Sequence, residues 1–235
     1  MKLIILTIAP YREKDAIMTG ICEEGLKTFR VPGVFSPKSK FASLNNLLTI
    51  IEPTFSETKT RKRLILNEAQ LLFSPMQGHI DLHYVNAITI LLQATNKLVE
   101  DDDKALFYQD LFNALLALKN KINPYAICLK YLMAIVNSTG YELNVKGCAR
   151  CGSKKNIVAF SFLEGGFICK EHFTSDDHND LTIEEMKHFR NIFLHNGYAF
   201  EEEMIDEKVV VSLLKKINIF IADAYGYSFK EINNL

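Results

Sequence analysis

Over the first 75 residues, apolar positions come in short runs broken by turn residues. KLIILTIA (2–9), DAIMTGI (15–21), GLKTFRVPG (25–33), LLTIIEP (47–53) and the pair KTRKRLIL and EAQLLF within 59–73 are rich in Ile, Leu, Val, Thr and Phe. Pro10, Gly25, Pro32, Gly33, Pro53 and Pro75 punctuate them, so each run reads as a strand. About five short strands in so short a segment leave unprotected edges unless they close, and a small five-stranded OB-like barrel over residues 1–78 is the economical solution.

After Pro75 the spacing changes. HIDLHYVNAITILLQATNKL, KALFYQDLFNALLALKNK and PYAICLKYLMAIVNS repeat apolar residues three and four apart, the signature of a helical face. Asn123 before Pro124 predicts a capped helix start, and Gly140 its end. Thr182 and Glu185 have capping-box spacing ahead of MKHFRNIFL, and DEKVVVSLLKKINIFIADAYG ends at Gly226. The expected fold class is therefore α+β: a barrel, then a helical domain of about five helices over 79–235, with a cysteine-bearing insert at 145–175 between its third and fourth helices.

That insert, CARCGSKKNIVAFSFLEGGFICKEH, carries the clearest chemistry. Cys148 and Cys151 enclose two residues, as do Cys169 and His172, and seventeen residues separate the pairs. Two such knuckles joined by a hairpin are a tetrahedral zinc pattern, because each tight turn supplies two ligands and the hairpin brings the turns together. NIVAFSF and GFICK around EGG read as that hairpin, and Gly152 suits the turn after the first pair. His178 in DDHND is the alternative fourth ligand, although the two-residue gap favours His172. Four protein ligands close the coordination sphere, so a zinc here is expected to be structural.

Composition adds bounds. With 48% hydrophobic residues and 16 Phe, the chain can bury a core, which excludes a disordered protein. No apolar run reaches the roughly 18–20 residues of a membrane span, and KLIILTIA runs straight into PYREKD without a cleavage site, so a cytoplasmic protein is expected. The five cysteines then point to metal rather than disulfides. No phosphate loop, nucleophile elbow or His-Glu-x-x-His motif is present, so catalysis has no positive support.

Charge is uneven. Residues 1–80 hold eleven Lys and Arg against seven Asp and Glu, while the remainder holds sixteen against twenty-one. Lys38 and Lys40 flank Ser39 in a turn, and in TKTRKR strand alternation would send Lys59, Arg61 and Arg63 to one face, where they could meet phosphates along a nucleic-acid backbone. A charged hairpin that protects a barrel edge is the competing reading.

The order of parts resembles the bacterial recombination mediator family RecO. The carriers are YREKD at 11–15, the glycines of EEGLKTFRVPG, SPKSK at 36–40, TGYELNVKGCARCGS, VAFSFLEGGFIC and the terminal AYGYSFK. His172 stands where the family commonly has cysteine, and SFKEI where it tends to have Leu-Lys-Ser. The resemblance implies an OB-fold, a helical domain and a zinc insert. It also implies binding of single- and double-stranded DNA, strand annealing, and help in loading the recombinase RecA with the partner RecR on DNA coated by single-strand-binding protein, in a nucleoid-associated setting. Family members dock the acidic C-terminal tail of that protein on the helical domain, which here would require a local basic pocket. A zinc-stabilised protein-interaction scaffold without nucleic-acid binding is the alternative.

Overall fold

A computed structural model describes the chain apart from residues 58–62, 78–79, 121 and 202–203. Strands β1 (Leu3–Tyr11), β2 (Asp15–Cys22), β3 (Gly25–Val31), β4 (Ile50–Glu57) and β5 (Leu64–Phe73) form a closed barrel in the order β1-β2-β3-β5-β4. Antiparallel pairing of Leu3 with Ile51 closes one seam, and parallel pairing of Phe29 with Leu64 closes the other. The expected five-stranded barrel is thus present.

Two strand boundaries differ from the sequence reading. The predicted pair within 59–73 is one strand that begins at Leu64, and it runs straight through the polar Asn67-Glu68. The register shift opposite Thr54 and Phe55 makes Asn67 a β-bulge, whose carboxamide oxygen accepts from Ser56 Oγ at 2.9 Å. A bulge absorbs a polar residue without ending the ladder, which is why the polar pair does not act as a turn. The strand predicted at 47–53 is shifted to Ile50–Glu57, and Pro53 lies beyond the residues that pair with β1, where its missing N–H costs no bond.

The burial pattern shows which part of the barrel meets water. In β1, Leu3, Ile4, Ile5 and Leu6 are all buried, whereas Thr7, Ala9 and Pro10 are exposed. Leu3 and Ile5 fill the barrel interior, while Ile4, Leu6, Ile21, Ile50 and Phe73 join the core of the helical domain. Tyr108 in that domain donates to the Lys2 carbonyl at 3.2 Å. One end of the barrel is therefore packed against helices, and among the described residues the other, free end carries the exposed part of β1.

The helical part comprises α1 (Leu82–Lys97), α2 (Lys104–Lys119), α3 (Pro124–Ser138), α4 (Ile183–Leu194), α5 (Glu207–Tyr225) and a short α6 (Lys230–Asn233) that the periodicity does not announce. The predicted caps form: Asn123 Oδ1 accepts from the N–H groups of Tyr125 and Ala126, and Thr182 and Glu185 make a reciprocal capping box. Helix α3 is buried nearly all round, with α1, α2 and α5 against it. Between α3 and α4 lies a three-stranded sheet of β6 (Asn144–Cys148), β7 (Ile157–Ser161) and β8 (Gly166–Cys169), in the order β6-β8-β7. The predicted hairpin is β7–β8; β6 adds a parallel strand beside β8.

Candidate metal centre and basic barrel end

Strand β6 ends at Cys148 and β8 ends at Cys169, and their parallel pairing brings both knuckles to one end of the insert sheet. The first knuckle is closed by hydrogen bonds from Gly152 N to Cys148 O at 2.7 Å and from Cys148 N to Ser153 O at 2.8 Å. This turn puts Gly152 at a φ of 74°, and a Cβ on Gly147 would stand 2.6 Å from the Gly152 carbonyl oxygen, so both positions favour glycine.

Ligand atoms of Cys148, Cys151, Cys169 and His172 all lie within 4.8 Å of one another. Cys151 Sγ is 3.8 Å from Cys169 Sγ, and Cys169 Sγ is 3.3 Å from His172 Nδ1. With zinc–sulfur bonds of about 2.3 Å and zinc–nitrogen bonds of about 2.0 Å, a tetrahedron has S···S edges near 3.8 Å and S···N edges near 3.5 Å. The cluster therefore has the size and donor set of a tetrahedral site for a soft divalent metal. His178 is not part of it: that ring is exposed and faces Asp180 at 3.7 Å.

The electrostatics of the cluster favour a thiolate. Burial pushes the Cys148 thiol up, but the N–H groups of Cys169, Arg150 and Cys151 outweigh it and bring the value down to about 6. At Cys151 the Ser153 N–H favours the thiolate, yet partial burial and the neighbouring thiols of Cys148 and Cys169 win and push it up.

Arg150, between the first two cysteines, is a residue that motif reading overlooks. Its Nε donates to Glu164 at 3.1 Å in the β7–β8 turn, its Nη1 donates to Asp177 Oδ2 at 3.0 Å, and it also donates to the His172 carbonyl. One guanidinium thus ties the first knuckle, the hairpin turn and the segment after the second knuckle together. The only sequence signal was a lone arginine inside Cys-x-x-Cys, with Asp177 in an acidic stretch that reads equally well as solvated loop.

At the free end of the barrel, strand pairing gathers the β1–β2 turn (Tyr11 opposite Asp15), the end of β3 (Val31 opposite Ala16) and the β4–β5 junction (Glu57 opposite Leu64). Exposed Arg12 and Lys14 occupy the first turn. The loop after β3 is fixed on that turn: Asp15 accepts from Gly33 N at 2.7 Å and from Arg30 Nε at 3.0 Å, and Phe35 N donates to Lys14 O at 3.0 Å. The Gly33 N–H, aided by Arg30, holds the Asp15 carboxyl below its usual range. Gly33 has a φ of 66° and lies close under Ser39, so the YREKD, glycine and SPKSK motifs form one scaffold for the loop carrying Lys38 and Lys40.

Of the predicted basic residues, Lys38 and Lys40 are exposed on that loop, and Lys40 Nζ donates to the bulge carbonyl of Asn67 at 2.6 Å. Arg63 immediately precedes β5 rather than lying within a strand, so the expected strand alternation does not place it; Lys59 and Arg61 lie outside the described residues. Arg12, Lys14 and Arg30 share the same end; Arg12 and Lys14 alternate with Glu13 and Asp15 in YREKD and Arg30 stands alone, so neither stretch reads as a basic cluster in sequence. The acidic Glu13 and Glu57 also stand at this end.

The family profile described as "Recombination protein O C terminal" matches residues 81–223, more than half of the chain. The chain belongs to the RecO family. The family's similarity reaches beyond the helical part: a protein named "DNA repair protein RecO" from Bacillus cytotoxicus is 24% identical over 194 residues, covering 82% of this chain and 77% of the relative. A protein of the same name from Bacillus mycoides is 23% identical over the same span. Among the described residues, no helix is long and apolar enough to cross a membrane.

Proposed function

We propose that this RecO-family chain is a non-enzymatic DNA-binding mediator of DNA repair, which anneals complementary strands and assists recombinase loading. The observation that carries the reading is the cation-bearing end of the barrel, opposite the end packed on helices. Arg12, Lys14, Lys38 and Lys40 project there from loops held by Asp15 and Gly33, as a sequence-independent phosphate site requires. Holding two strands on one positive surface screens their mutual repulsion, and annealing follows from that.

Zinc in the Cys148, Cys151, Cys169 and His172 cluster would act as a structural brace for the insert, since four protein donors leave no position for water or substrate. A basic pocket for an acidic tail such as that of single-strand-binding protein is available in the helical part. Lys146, Lys154, Lys187 and Arg190 surround a groove of about 300 Å³ floored by Ile157, Phe167, Ile183 and Met186. RecR is the further partner in this reading.

The test is annealing of two complementary oligonucleotides carrying a fluorescent donor and acceptor. Annealing is expected to accelerate with the wild-type chain, and the acceleration to disappear in a Lys14→Gln/Lys38→Gln/Lys40→Gln variant of unchanged melting temperature. Equal acceleration by both proteins would overturn the assignment of the site.

A further inference from the structure

A second groove, of about 720 Å³, lies between the insert and helix α5, remote in sequence from the barrel loops. Its floor is aromatic: Phe162 and Phe220 stack with centroids 5.0 Å apart, and Tyr141 meets Phe220 edge-on at 5.3 Å. Its lips are unusually exposed apolar side chains. Leu163, at the tip of the β7–β8 turn, is 95% exposed, and Ile219 on the outer face of α5 is 64% exposed. Bulky side chains left in water around a concave aromatic floor mark an interaction surface.

The charge around the groove selects the occupant. Five carboxylates line it, from Glu164, Asp176, Asp177, Asp180 and Asp223, against a single lysine, Lys216. Lys216 is already committed to Glu185 at 2.7 Å and to the Asp180 carbonyl at 2.7 Å. Glu164 and Asp177 are held by Arg150, whereas Asp176 and Asp223 form no ion pair among the described residues. The rim is thus net negative and repels nucleic acid, so this face is unsuited to the strand-binding role given to the barrel end.

We propose that this groove docks a basic amphipathic segment of a partner protein, whose apolar face seats on Phe162, Phe220 and Ile219 while flanking lysines or arginines meet Asp176 and Asp223. Such helix-in-groove recognition draws affinity from the apolar anchors and orientation from the rim charges. One wall of the groove, the turn bearing Leu163 and Glu164, is fixed through Arg150 to the cysteine cluster, so the docking surface is braced by the metal centre.

The experiment uses the full chain and a short fluorescein-labelled amphipathic helical peptide of leucine and lysine, with a leucine–glutamate peptide as comparison, read by fluorescence anisotropy. The lysine peptide is expected to bind and the glutamate peptide to bind at least tenfold more weakly. Leu163→Ser/Ile219→Ser should weaken the lysine peptide by about a hundredfold, and Asp176→Lys/Asp223→Lys by about tenfold. All four positions are exposed, so folding, checked by melting temperature, should be retained. Equal binding of both peptides, or undiminished binding by both variants, would overturn the proposal. So would concentration-dependent self-association that Leu163→Ser/Ile219→Ser abolishes, because the face would then belong to a second copy of this chain.

Discussion

Arg150 and Asp177 face each other in a two-pronged ion pair across the two halves of the cysteine cluster, with Nη1 3.0 Å from Oδ2 and Nη2 on Oδ1. Exposed ion pairs usually contribute little, but this one combines planar bidentate geometry with further bonds to Glu164 and the His172 carbonyl. The Arg150 guanidinium also holds the Asp177 carboxyl well below the usual carboxylate range. In zinc-loaded protein, Arg150→Ala is expected to release the metal to a chromogenic chelator several-fold faster than wild type while loading to the same equilibrium content. Arg150→Lys should not restore the slow rate, because an ammonium cannot span both carboxylate oxygens. An unchanged release rate in both variants would remove Arg150 from the account of the site.

If zinc in the cluster braces the insert as proposed, its removal should be felt beyond the insert. Phe160 of β7 meets Phe189 of α4 with ring centroids 5.0 Å apart, and Phe167 of β8 packs against Phe160 at 5.7 Å. Binding free energy at a closed zinc site is largely folding free energy of the segment around it. Chelation, or Cys148→Ser, is therefore expected to strip amide-exchange protection from β6, β7 and β8, weaken it in the first turns of α4, and leave the barrel strands protected. Full protection of the insert after chelation would mean that the cluster has no structural role.

The capping box at the start of α4 makes a pH prediction. Burial would push the Glu185 carboxyl up, but bonds from Lys216, Ser212 and Thr182 outweigh it and lower the value to about 2 from the ordinary 4.5. A carboxyl depressed by folding stabilises the protein above its unfolded value and loses that contribution as pH falls through its folded value. The stabilisation is on the order of 3 kcal/mol at neutral pH, an upper figure for a buried, multiply bonded group. The urea midpoint should therefore fall progressively as pH drops from about 4.5 towards about 2. Glu185→Gln should start lower at neutral pH and show a flatter decline over this window; an identical pH profile would rule the group out as its source.

Much of this molecule can be read from local patterns. The cysteine and histidine spacing specifies its own geometry, since two tight turns and one hairpin suffice to bring Cys148, Cys151, Cys169 and His172 together. Asn123 and Thr182 mark helix starts because their side chains satisfy the N–H groups of the next turn, a wholly local interaction. What local patterns miss is set by partners distant in sequence. Asn67 falls between the two predicted runs KTRKRLIL and EAQLLF, but Ser56 and Lys40 from other strands and loops satisfy it as a bulge within one strand. The β6 strand exists only because β8 offers it a parallel partner. The basic barrel end was half visible: Lys38 and Lys40 form a basic pair in SPKSK, whereas Arg12 and Lys14 alternate with acids in YREKD and Arg30 stands alone, and only barrel closure brings all of them together.

The most direct measurement of the central claim is the salt dependence of single-stranded oligonucleotide binding, by fluorescence anisotropy, for the wild-type chain and for Lys14→Gln/Lys38→Gln/Lys40→Gln. If these lysines contact phosphates, the wild-type affinity falls steeply with salt, and the variant binds more weakly with a log–log slope shallower by roughly 2, about 0.7 for each cation lost. A wild-type affinity insensitive to salt, or a variant with the same slope and affinity as wild type, would contradict a nucleic-acid site at this end of the barrel.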